Sequence, residues 1–157
     1  MTVQIQEAVS YQLCRAVVSD ELDAAIVSEN LADKFLVAEP LFNEQVWLFG
    51  PPSKSKRAIE LTKIATLPMI MASAPQTTRR FVDRAAAQAD IKIHIIAESD
   101  SNQATRDLLI SGVGYTVAPC SALIADIQRG LIPGFPFKSL AFVVPSSYET
   151  TGRPLGH

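Results

Sequence analysis

Short apolar runs of strand length alternate with stretches whose apolar residues recur at helical spacing, and this alternation narrows the fold class more than any other feature. Val3 and Ile5 alternate with Gln4 and Gln6, the pattern of a half-exposed strand. Ser10 opens a helical pattern with Leu13, Ala16 and Val17 on one face, and Asp23-Ala-Ala-Ile-Val27 is a continuous apolar run. Strand, helix and strand in so short a span predict a βαβ unit, with parallel strands and a right-handed crossover. After Pro40 the pattern restarts, with a strand over Val46-Trp-Leu-Phe49 closed by Gly50-Pro-Pro52. Residues 53–66 are polar and then weakly helical, and Met69-Ile-Met71 reads as a buried strand.

The alternation continues to the end of the chain. Thr77 to Ala89 predicts a helix with Phe81, Ala85 and Ala89 on one stripe and Val82 and Ala86 beside them. Ile91, Ile93 and Ile95 alternate with Lys92 and His94 as a strand, and Asn102 to Ile110 predicts a helix ending at Gly112. Tyr115-Thr-Val-Ala118 is a strand stopped by Pro119, and Ser121 to Arg129 a helix with Gly130 past its end. Ala141-Phe-Val-Val144 is a last strand, followed by a polar tail from Ser146 to His157 that is expected to be loose. The class is therefore α/β.

With 157 residues, 48% of them hydrophobic and 19% charged, the chain has a globular composition and room for one ordinary domain or two small lobes. The net charge of −2 argues against a nucleic-acid surface, which needs a basic face. Lys54, Lys56 and Arg57, and again Arg79 and Arg80, are short basic clusters better read as solvated faces. The first residues carry neither a basic nor an apolar leader segment, and no apolar run approaches the ~20 residues of a membrane helix, so the cytoplasm is expected. Cys14 and Cys120 lie far apart in apolar contexts and read as small buried side chains, not as a disulfide framework.

Motifs for catalysis are weak. Gly112-Val-Gly114 lies between a helix and a strand, the reverse of a dinucleotide-binding loop, and lacks the third glycine; a helix end and a tight turn explain it better. There is no Gly-x-Ser-x-Gly elbow. The two histidines, His94 and His157, do not suggest a triad, and Cys14, His94 and Cys120 lack metal-ligand spacing. Glu98 and Asp100, at a strand end before a helix, are expected to cap that helix or favour its dipole. No enzymatic activity, cofactor or metal is expected.

Small hydroxyl residues recur where strands end and helices begin. Ser10 opens a helix and Ser28 closes a strand; Ser73, Thr77 and Thr78 follow another strand into a helix, and Ser99 and Ser101 do so again. Each taken alone is a plain helix cap. Their recurrence suits a binding edge instead, because open parallel α/β sheets bind ligands outside the carboxyl ends of their strands, where helix N–H groups also point.

The ordered set of motifs resembles the effector-binding domains of LysR-type transcriptional regulators. Leu22-Asp-Ala-Ala-Ile26, Pro40-Leu41 and Glu44-x-Val-Trp-Leu-Phe49 resemble the first lobe and the crossover from it. Leu67-Pro-Met-Ile70, Arg79-Arg-Phe-Val-Asp83, Glu98-Ser-Asp-Ser101 and Ser111-Gly-Val-Gly-Tyr-Thr-Val-Ala-Pro119 resemble the second lobe in order and spacing. Gly130-Leu131, Pro136 and Gly152-Arg-Pro-Leu155 are similar to the family's return segment and late loop, so the resemblance covers nearly the whole chain.

The resemblance implies a two-lobed, periplasmic-binding-protein-like (type II) fold, with residues 1–42 and 138–157 in the first lobe and 43–137 in the second. It implies a cleft in which Ser10 and Ser28 come from the first lobe and Ser73, Thr77 and Thr78 from the second, with Ser99 added by the strand-end argument. Family members also carry a winged helix-turn-helix and a linker helix that this sequence does not show. Val3 matches the second strand of the effector domain, so the first lobe is expected to be truncated. The expected function is effector sensing without DNA binding of its own, the effector being a small polar or anionic metabolite. The alternative is a free-standing solute-binding or interaction protein that dimerises with a full-length regulator. A sheet lacking a partner strand also predicts a homodimer or higher oligomer, with Thr2–Val27 or Ala141–Val144 at or near the contact.

Overall fold

A computed structural model of the chain describes residues 2–28, 36–51, 58–74, 76–138 and 143–150. They divide into two compact units, one formed by Met1–Asn43 with Pro145–His157 and the other by Glu44–Val144. We refer to them as unit 1 and unit 2.

In unit 1, helix α1 (Ser10–Val18) precedes strand β1 (Ala24–Val27). The spacing of Cys14 and Val17 puts both on the buried face of α1, where they meet Ala25 and Val27 of β1; Leu13, Leu22 and Leu36 close the edges of this small core. Strand β1 pairs antiparallel with β7 (Val143–Thr150), from Ala24 opposite Thr150 to Val27 opposite Ser147. Beyond β7 lies β2 (Val37–Phe49).

Two expectations for this unit fail. The segment Val3–Ile5 forms no strand, and the parallel pair it would make with β1 is absent among the described residues. Val3 and Ile5 are 69% and 89% exposed, so their alternation lacks the neighbouring sheet that would turn the pattern into a strand. The other failure is at the chain's end, where β7 carries Ser146–Thr150 into the sheet instead of leaving them in a loose tail. Pairing with β1 fixes these polar residues, a tertiary contact that their own composition does not signal. Ala141 and Phe142, the first half of the expected last strand, lie outside the described residues, as do residues 151–157.

In unit 2, the second half of β2 is the frame. It pairs antiparallel with β5 (Thr116–Pro119) and with β6 (Gly134–Pro136). The strand does not start afresh after Pro40 but runs through it from Val37. A short 3-10 helix over Leu61–Thr66 leads to β3 (Met69–Met71), fully buried as its unbroken apolar run requires. Strand β3 runs parallel to β4 (Ile95–Glu98), each followed by a helix: α2 (Thr77–Gln88) and α3 (Asn102–Ile110). The strand expected over residues 91–95 thus begins only at Ile95, because the three-residue β3 offers a ladder no earlier. Met69 N donates to His94 O at 2.8 Å as the two strands meet. The alternation of Ile91 and Ile93 with Lys92 and His94 still gives alternating burial without strand pairing.

The predicted helix after Pro119 is a 3-10 turn over Cys120–Leu123 followed by α4 (Ile124–Gln128). Two apolar cores hold the unit. One centres on Val46, Leu48, Ile64, Met69, Met71 and Val82, the other on Phe49, Ile70, Leu109, Leu123 and Ile132. The stripe expected on α2 is turned slightly: Val82 and Ala86 are buried, Phe81 and Ala85 pack beside the core, and Ala89 is exposed. Arg106 of α3 clasps Asp126 of α4 through two hydrogen bonds, 2.9 Å from Nε and 2.7 Å from Nη2.

Candidate functional site

Parallel pairing sends β3 and β4 out at the same edge of unit 2, so the residues that follow them, and the starts of α2 and α3, gather there. Ser73, Thr77 and Thr78 come from the first connection and Ser99 from the second. Asp100 joins the two connections. Its Oδ1 accepts from Ser73 N at 3.0 Å and from Gln76 Nε2 at 2.5 Å. Ser99 is held from both sides, its N donating to Met71 O at 2.9 Å and its Oγ donating to Ser101 O at 3.2 Å.

The capping roles differ from those expected. Ser101 caps α3, its Oγ accepting from Ala104 N at 3.2 Å, so Glu98 and Asp100 are released for other work. At α2 the cap position is Gln76, with no side-chain cap hydrogen bond, and Thr77 and Thr78 are the first two helical residues. Both threonines are half-buried at this edge. The same holds in unit 1, where Val9 takes the cap position of α1 and Ser10 is its first residue. Ser10 Oγ instead accepts from Ser28 N at 3.3 Å, tying the start of α1 to the carboxyl end of β1. The six hydroxyl residues thus form two groups at strand ends, Ser10 with Ser28 in unit 1 and the other four in unit 2.

Arg79 is the residue that the sequence misplaces. Read there as part of a solvated basic face, its side chain is only 14% exposed. Its Nη1 donates to Ala72 O at 2.9 Å and to Glu98 Oε1 at 2.5 Å, and its Nε lies 2.9 Å from Asp83 Oδ2. Glu98, and then Asp83, push the guanidinium still higher than its ordinary value, so it stays charged throughout the accessible pH range. One arginine therefore links the end of β3, the end of β4 and the first turn of α2. The i,i+4 spacing of Arg79 and Asp83 was the signal available in the sequence.

Other chemistries find little support. Cys120 is a free thiol that burial pushes upward, which disfavours the nucleophilic thiolate, and Cys14 is buried. Among the described residues, no three His, Cys, Asp or Glu side chains are placed to hold a metal ion. Gly112 ends α3 with φ of +76°, and Gly114 lies where a Cβ would sit 2.6 Å from Pro68 O, so the two glycines make a turn and a close backbone approach. No helix among the described residues is long and apolar enough to cross a membrane.

Comparison with known proteins bears on the family and the fold. The family model described as the LysR substrate binding domain matches residues 1–146. The HTH-type transcriptional regulator BbuR of Bordetella bronchiseptica is 26% identical over 133 residues, 83% of this chain; the chain spans 41% of that relative's length. Among solved structures, the effector-binding domain of QuiR in complex with shikimate superposes with a TM-score of 0.81 at 14% identity, covering 96% of this chain and 72% of its own. The regulatory domain of CcmR from Synechocystis PCC6803, in complex with 2-PG, gives a TM-score of 0.79 at 19% identity, covering 94% and 73%. These likenesses give the fold: α/β, two-lobed and periplasmic-binding-protein-like.

Proposed function

The chain belongs to the LysR substrate-binding domain family, a ligand-sensing regulatory domain, and from that premise we propose that it senses a small effector for a LysR-type transcriptional regulator. The effector is a small polar or anionic metabolite, for which each unit holds a candidate group of hydroxyl residues: Ser10 and Ser28 in unit 1, and Ser73, Thr77, Thr78 and Ser99 in unit 2. The domain performs no reaction and makes no DNA contact of its own, and it works in the cytoplasm. One observation carries this reading. Hydroxyl residues stand at three strand ends and helix starts, with Ser10, Thr77 and Thr78 inside the first helical turn and not at its cap position. The small molecules named with QuiR and CcmR, shikimate and 2-PG, support an effector of similar size.

A thermal-shift screen of small hydroxy acids and phosphorylated acids, with shikimate among them, tests the reading. A ligand at a hundred times its Kd stabilises by about 2.7 kcal/mol, and each kcal/mol moves the melting temperature of a domain this size by about 2–4 °C. Ser28→Ala and Thr77→Ala are expected to shrink that shift while leaving the ligand-free melting temperature nearly unchanged. Loss of ligand-free stability with an unaltered ligand response would make both residues structural and remove them from the site.

A further inference from the structure

Two donors converge on one place at the unit 2 strand ends: the backbone N–H of Ser73, just past β3, and the side-chain amide of Gln76, at the cap position of α2. Both donate to the same atom, Asp100 Oδ1, at 3.0 and 2.5 Å. Convergent N–H donors at the start of a helix are what a carboxylate or phosphate oxygen binds. Here the oxygen comes from the chain itself. Asp100 is not needed to cap the helix that follows it, because Ser101 supplies the α3 cap. Nor does Arg79 offer its charge to an anion, since Glu98, Asp83 and Ala72 O already engage its guanidinium. Arg80, one residue on, is exposed.

We propose that Asp100 fixes the charge preference of the unit 2 hydroxyl group. Its carboxylate fills the place formed by the Ser73 N–H and the Gln76 amide, so unit 2 receives an uncharged, hydroxyl-bearing part of an effector and turns away a carboxylate or phosphate. The tethered carboxylate is always at hand, whereas a free anion must reach the same donors from solution and against the charge already there. The hydroxyls of Ser73, Thr77, Thr78 and Ser99 are of the type that both donates and accepts, which suits an uncharged hydroxyl as partner. An effector that is an acid keeps its charged group away from these donors. The assignment rests on the sensing role proposed above and names the part of the effector that unit 2 takes.

The test uses the whole chain, isotope-labelled for amide NMR, with acetate and inorganic phosphate as the anions, each compared with sodium chloride at equal ionic strength. Asp100 is exposed, so Asp100→Ala removes its carboxylate without opening a core. In that variant the Ser73 amide signal is expected to shift saturably with acetate, at an affinity about tenfold or more above that of the unaltered chain. The Ser73 signal of the unaltered chain is expected to stay in place. Asp100→Asn keeps an oxygen for both donors and is expected to behave as the unaltered chain does. Circular dichroism checks folding, and Asp100→Ser, with the same expectation, replaces Asp100→Ala if that variant does not fold. A saturable Ser73 shift in the unaltered chain as strong as in the variant overturns the proposal, because the donors would then be open to anions. A folded Asp100→Ala protein whose Ser73 signal ignores both anions overturns it as well. So does an Asp100→Asn protein that binds acetate as tightly as Asp100→Ala, since charge repulsion alone would then exclude the anion. No effector enters these measurements, so an effector screen without a responding compound sinks the sensing role, whereas the Ser73 shifts decide the part played by Asp100.

Discussion

Among the described residues, Asp126 is the only charged side chain that lies buried, and Arg106 explains why it can. Its two-point contact with the guanidinium holds the Asp126 carboxyl below the usual carboxylate range. An acid that gives up its proton more readily folded than unfolded contributes stability above its unfolded value of about 3.9. That contribution disappears as pH falls through the lower folded value. Asp126→Asn is therefore expected to melt below the unaltered protein at pH 7, with the gap closing below about pH 4. Melting temperatures across that range decide it, and a gap independent of pH would mean that shape and not charge makes the contact. The sequence shows neither end of this pair, because Arg106 and Asp126 meet only when α3 packs beside α4. The same reason hid Arg79, whose partners Ala72 and Glu98 come from two different strand ends. The hydroxyl positions were legible because a strand end and a helix start each leave a local mark.

Elements were readable wherever one periodicity and one stop signal coincided. The boundaries of α3 follow from Ser101 before it and Gly112 after it, and β3 from an unbroken apolar run. Strand β4 was displaced because apolar alternation reports burial on one face, whereas strand assignment needs a hydrogen-bonded neighbour. Gly114 shows a second kind of information that a sequence withholds. It was read as half of a turn, yet its place is set by Pro68 O, which comes closer than any side chain tolerates. Gly114→Ala is expected to cost about 1–3 kcal/mol, the usual scale for forcing extra atoms into a filled space. Gly112→Ala would also destabilise, through its positive φ, but with open space around it. Urea denaturation of the two variants separates crowding from backbone strain only if a neighbouring probe, such as fluorescence of the half-buried Tyr115, moves in the first and not in the second. A Gly114→Ala protein as stable as the parent would show that the strand pair can spread at no cost.

For the molecule as a whole, net charge bears on what it can bind. A net charge of −2 gives little attraction for phosphate backbones, and the family match concerns the ligand-binding part of these regulators. Fluorescence anisotropy with duplex DNA at physiological salt is expected to show no sequence-dependent binding tighter than about 1 µM. Sub-micromolar, sequence-dependent binding would contradict it. The expectation of a parallel unit at the start of the chain failed at this scale, since the partner that β1 finds is β7, far away in sequence.

That pairing also bears on how the protein is made. Unit 2 is a single continuous stretch, Glu44–Val144, whereas unit 1 takes its material from both ends of the chain. A ribosome adding about 5–20 residues per second needs roughly 5 to 20 s to synthesise the stretch between them. For most of that interval β1 is outside the ribosome while β7 does not yet exist. The apolar run Ala24–Val27 is then uncovered on both edges, at the moment when neighbouring ribosomes on one message hold identical chains close together. Until β7 has been made, β1 can catch a neighbour's strand in place of its own chain's.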